Sequence, residues 1–172
     1  MSVSKPVPGD YQPYWDDYYR LLPEGDAIRL LQEQLDEIVS LYVSFGEEKS
    51  LYRYADGKWS LKEVLGHLID TERMNGYRLM CIARGDKVPL PRHPEQFVNG
   101  TDFDRRPLAG LIEEFRAVRS STLALAKGLT QEEWARAGLI NDTRTTAASF
   151  AYFIPAHACH HLGIIRERYM GA

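Results

Sequence analysis

His157 and His161 stand four residues apart in the run Ile154-Pro155-Ala156-His157-Ala158-Cys159-His160-His161-Leu162. On a helix that spacing puts both imidazoles on one face, one turn above the other. Two imidazoles so placed can share one metal ion and leave room for a third ligand from another helix. The spacing alone also fits a pair of half-buried, hydrogen-bonded histidines. Cys159 falls about 200° round from His157 at about 100° per residue and is excluded from the site. His160 lies about 60° to one side, where it either backs the ligands or faces solvent. Pro155 lacks a backbone N–H and is expected to kink or interrupt the helix one turn before His157, opening a pocket there.

A second histidine oddity sits far upstream. Ser60-Leu61-Lys62-Glu63 is a capping box that opens a helix at Leu61, and Gly85 stops it. Its seam begins with Leu61, Val64, Leu65 and Leu68 and ends with Leu79 and Ile82. Between them the same face carries His67, Thr71, Glu72 and Asn75. Polar groups at core positions are costly unless paired, so the pattern predicts a wet or metal-containing cavity. Glu72 alone is explained by pairing with an arginine such as Arg78; His67 is not. Asp70 and Thr71 follow His67 by three and four residues and are within its reach on a helix. Glu72 or Asp70 is therefore a candidate base, or the partner that orients His67 through its other ring nitrogen.

The elements that must position these groups are helices. Ile28, Leu31, Leu35, Ile38, Tyr42 and Phe45 step by three and four, a helix over about 24–45 that Gly46 ends. The others are expected over about 61–84, 107–128 and 145–169. Thr130-Gln131-Glu132-Glu133 opens a short extra turn, and Asn141-Asp142-Thr143 is the last loop. Residues 86–107, with Pro89, Pro91, Pro94 and Gly100, form a long loop of the kind that tends to carry function, and His93 lies in it. At the N-terminus, prolines precede Tyr11, Tyr14, Trp15, Tyr18 and Tyr19. That segment is expected to lie across the bundle on its rings, or to line the mouth of a pocket. No strand-like alternation and no repeat is seen. The fold class is all-α: one four-helix-bundle domain over 1–172, in which His67 can face His157 and His161. Three neutral imidazoles with an open position are the pattern of a catalytic metal site.

Composition narrows the partners. Of 172 residues, 44% are hydrophobic and 26% charged, enough for one core and too few for two domains. The net charge of -3 and scattered basic residues argue against nucleic acid. No apolar run reaches membrane-spanning length, and the first residues, MSVSKPVPGDYQPYW, lack the apolar core of a signal peptide. Cys81 and Cys159 build no disulfide framework. A soluble, cytoplasmic protein acting on a small molecule is the expectation.

The stretch from Gly57 to Arg73 resembles the second helix of the DinB-like (DinB/YfiT-type) metal-binding superfamily. Ala83-Arg84-Gly85-Asp86, Pro89-Leu90-Pro91, His157-Ala158-Cys159-His160-His161 and Arg166-Glu167-Arg168-Tyr169 fit the same pattern. The likeness runs from about Tyr14 to the end. It implies a four-helix bundle holding one divalent metal on His67, His157 and His161. Members of this superfamily bind zinc or nickel and often form homodimers. They include bacillithiol S-transferases and a mycothiol-dependent maleylpyruvate isomerase, so a low-molecular-weight thiol is an implied co-substrate. Two departures stand out: Arg92-His93-Pro94-Glu95-Gln96 replaces a usual Gly-Phe-Asp-Gln, and Pro155 replaces a small or aliphatic residue.

Three functions compete. The first is a metal-dependent small-molecule enzyme, either a thiol S-transferase or a hydrolase. The second is a non-catalytic metal-binding stress-response module. The third, an interaction bundle without metal, is opposed by the polar face of the second helix.

Overall fold

The computed structural model describes residues 3–86, 97–140 and 142–171. Its elements are α1 (Trp15–Tyr19), α2 (Ala27–Lys49), α3 (Leu61–Ala83), α4 (Leu108–Lys127), α5 (Gln131–Ala135), β1 (Ala137–Ile140), β2 (Thr143–Thr146) and α6 (Ala147–Ile164). A 3₁₀ turn over Phe103–Arg105 precedes α4, and a π-helical turn over Ile165–Tyr169 follows α6.

Side-chain caps set most of the starts. Asp26 accepts from the Ile28 and Arg29 amides at α2, and Thr146 accepts from Ser149 at α6. Both arms of the capping box are made at Ser60/Glu63 and again at Thr130/Glu133. At the far end of α2, Gly46 takes φ 68° and ψ 177°, breaking the regular helix before a final turn to Lys49. Gly85, just past α3, takes φ 85°.

Four long helices make the bundle, and its neighbours are not its sequence order. α3 packs on α4 and α6, and α2 packs on α4 and α6, so α2 and α3 occupy opposite corners. The two helices that carry the histidines are therefore adjacent. One apolar cluster joins Leu31, Ile38 and Tyr42 to Leu65, Leu111, Phe115, Ile154 and Leu162. A second gathers Trp15, Leu79, Ile82, Trp134, Phe150 and Phe153. α6 feeds both, with Ala156 in one and Ala158 in the other, and His157 stands between them.

The N-terminal aromatics do anchor their segment. Trp15 stacks on Phe153 at 4.0 Å and meets Phe150 edge-on at 5.2 Å, while the Tyr19 hydroxyl donates to the Ser149 carbonyl at 2.8 Å. No helix among the described residues is long and apolar enough to cross a membrane.

Two expectations are corrected. A small antiparallel hairpin replaces the last loop, with Ala137 opposite Thr146 and Ile140 opposite Thr143. Four-residue strands are too short for a legible alternation. The signals were the β-branched run Thr143-Arg144-Thr145-Thr146 and Asp142, which takes φ 61° in the turn. Second, Pro155 does not interrupt α6, which runs through it from Ala147 to Ile164. Gln34 on α2 donates its side-chain amide to the Pro155 carbonyl at 2.9 Å.

Candidate metal centre

Two turns into α3, His67 turns inward, and on α6 His157 and His161 meet it. Nε2 of His157 lies 3.2 Å from Nε2 of His67 and 3.2 Å from Nε2 of His161. One nitrogen from each ring falls within 4.8 Å of the other two. Hydrogen bonding satisfies only part of this arrangement. The Nε2 of a neutral imidazole carries either a hydrogen or a lone pair, so that of His157 cannot donate to one neighbour while accepting from the other. A single cation takes three lone pairs at once. Nitrogens about 2.0–2.1 Å from one ion stand about 2.9–3.4 Å apart in octahedral or tetrahedral geometry, and the observed spacing suits that.

Electrostatics favour the ligating form. Burial, reinforced by the neighbouring His67 and His160, pushes the His157 pKa down to about 3. His161 is likewise held well below its ordinary value, first by burial and then by His157. Neutral imidazoles are the form that binds metals.

Aromatic rings frame the cluster. Trp59 lies 4.9 Å from the His67 ring, Phe153 is 5.9 Å from His157, and Tyr18 of α1 is 6.0 Å from His157. The Tyr169 hydroxyl, from the π-helical turn, donates to the Trp59 carbonyl at 2.7 Å and so ties that residue to the end of α6. π-helical turns recur at functional sites. Tyr18 thus places the N-terminal segment at the histidines.

Glu72 is buried and both its oxygens accept from Nε of Arg119, at 2.7 and 2.9 Å, so its partner is Arg119 rather than Arg78. Asn75 is buried and accepts from Arg78 at 3.4 Å, and Thr71 is half-buried beside it. Asp70 is half-buried, with its pKa raised chiefly by that burial, and it pairs with Arg73 at 3.5 Å. His160 packs 5.1 Å from the His161 ring and 5.2 Å from Tyr18, beside the cluster rather than in it. Cys159 points to Gln34, 3.1 Å from its amide nitrogen. His93 and the Arg92-His93-Pro94 departure lie outside the described residues.

Arg119 escapes a reading based on apolar seams alone. Its signal is position: it stands four after Phe115 and three before Thr122, on the buried face of α4. Trp59 offers only its place before the Ser60 cap.

Comparisons with known proteins agree with this frame. No curated protein matches the chain. Among solved structures it is similar to YfiT from Bacillus subtilis, described as a probable metal-dependent hydrolase with an unusual four-helix bundle topology. The two share 20% identity at a TM-score of 0.73, over 98% of this chain and 94% of that one. At that identity the likeness speaks for the fold. The family model of the DinB superfamily matches residues 30–165, a stretch that holds all three histidines. From α2 to the turn beyond His161, the chain belongs to the DinB superfamily.

Proposed function

We propose that this protein is a metal-dependent small-molecule enzyme in which His67, His157 and His161 hold one divalent ion, zinc or nickel. The observation that carries the reading is the convergence of three imidazole nitrogens, with both 3.2 Å contacts meeting at one atom of His157. Three protein ligands leave at least one position open, as in catalytic rather than structural sites. Bound there, the ion supplies Lewis acidity, lowering the pKa of a thiol or water to give a nucleophile near neutral pH.

The chain's residues do the rest. Helix α6 holds His157 and His161 where burial keeps them neutral, and α3 brings His67 to them. Trp59 flanks His67, and Phe153 and Tyr18 flank His157. The Glu72 carboxylate is held in place by Arg119. Asp70 is engaged by Arg73. In the reading we favour, the sulfur of a low-molecular-weight thiol attacks an electrophilic carbon. A C–S bond forms, the leaving group departs with its electron pair, and the thiol proton passes to solvent. The family resemblance of the two histidine stretches supports it. Hydrolysis is the second reading, favoured by the description of YfiT. Self-association as a homodimer belongs to the same proposal, with sedimentation as its check.

The test begins with metal content, in protein purified without added metal or a nickel column. About one ion per chain, lost in His157→Ala, supports the site. A panel of thiols with electrophiles, and of esters alone, then separates S-transfer from hydrolysis. Metal without turnover on either panel leaves a non-catalytic metal-binding module. No metal in either protein withdraws the proposal.

A further inference from the structure

Beneath the histidine cluster lies a cavity of about 10 Å3, bordered by Thr71, Glu72 and Asn75 from α3, Arg119 from α4 and His157 from α6. That volume is about what one water occupies, and a buried water needs two to four polar partners. These walls supply them: a carboxylate, a hydroxyl and a side-chain amide. The carboxylate is fixed. Glu72 is held by Nε of Arg119, and Nη1 of the same arginine donates to the Leu31 carbonyl on α2 at 3.0 Å.

His157 borders this cavity from above. Its Nε2 is turned to the other two imidazoles, which leaves Nδ1 as its remaining hydrogen-bonding atom. Among the described residues, no protein group takes up that atom. An imidazole that ligates a metal characteristically donates from its other nitrogen to a carboxylate, carbonyl or water, which sets its tautomer and angle. A buried ion pair is by itself a weak source of net stability, because desolvation of both charges offsets their attraction. The pair is intelligible where it has a group to orient.

We propose that the cavity holds one water linking Nδ1–H of His157 to the Glu72 carboxylate, with Arg119 fixing that carboxylate. Glu72 is then a positioning residue for the middle ligand of the cluster. The inference rests on the metal reading above, and its test separates the two.

Zinc affinity is measured by competition with a chromogenic chelator. Removing Glu72 or Arg119 alone leaves a buried unpaired charge and endangers the fold, so the pair is replaced together. Glu72→Leu with Arg119→Met removes the acceptor, and Glu72→Gln with Arg119→Gln keeps one. The first variant is expected to bind zinc about 10–100-fold more weakly, while its metal-free form stays folded. The second is expected to recover most of that loss. Wild-type affinity in the apolar variant overturns the inference. Equal losses in both variants also overturn it, since packing then accounts for the effect. Wild-type protein that takes up no zinc sinks the metal reading, and the water bridge with it.

Discussion

His67 and His157, ninety positions apart in the chain, present their Nε2 atoms to each other at 3.2 Å. With no ion between them, such a contact tolerates little added charge. The folded chain holds His157 at about 3, far below the 6.5 usual for the unfolded one, and holds His161 low as well. The unfolded state therefore takes up protons first as pH falls. For the metal-free protein, the contribution of these residues is complete above about 6.5 and is lost progressively between there and about 3. Thermal melts of chelator-treated protein at pH 7.5, 6 and 5 should show a falling Tm. His157→Gln should flatten that fall; an unchanged slope would place the imidazole outside the buried cluster.

Metal should act in the opposite direction. An ion that binds only the folded state, at a hundred times its Kd, adds about 2.7 kcal/mol. In a domain of this size that is a rise of about 5–10 °C in Tm. Differential scanning of wild type with and without zinc measures it. In His157→Ala or His161→Ala the rise should vanish, whereas His160→Ala should keep it, because His160 sits beside the cluster.

Ser60 links the site to the start of its helix. Its hydroxyl accepts from the Glu63 amide at 3.0 Å and donates to Asp104 at 2.5 Å, so one side chain caps α3 and docks the turn before α4. Ser60→Ala should cost about 0.5–2 kcal/mol in urea unfolding. Ser60→Asp keeps the cap but puts a carboxylate against Asp104, and should be no better than alanine.

Much of this was legible in the sequence, for physical reasons that differ by element. The capping boxes at Ser60 and Thr130 are local, and short-range hydrogen bonds need no knowledge of the fold. The histidines announced themselves by standing where a bundle would place leucine. Less visible was anything decided across the chain. Arg119 pairs with a residue 47 positions away, and Tyr18 meets His157 only because α1 folds back on α6. The hairpin of Ala137–Ile140 with Thr143–Thr146 was hidden by its shortness. Pro155 misled because a proline's missing N–H predicts a break in isolation, while in the bundle α2 supports that turn through Gln34.

Gly66, immediately before His67, shows how closely the site's helix is packed. A Cβ there would stand 2.4 Å from the ring of Phe103, which is itself 3% exposed and has nowhere to retreat. Helix propensity alone favours alanine over glycine by about 1 kcal/mol. The clash should win, since forcing a methyl into a closed core costs about 1–3 kcal/mol and displaces what surrounds it. Gly66→Ala is therefore expected to destabilise the protein and, by pushing α3 off the Phe103 ring, to weaken zinc binding through His67. Gly163, near the end of α6, is the control: a Cβ there meets nothing within 4 Å, and alanine should stabilise by about 0.4–1 kcal/mol. Urea unfolding and zinc titration of the two variants decide it. A Gly66→Ala protein as stable as Gly163→Ala would mean that Phe103 does not lie against α3 beside the first histidine.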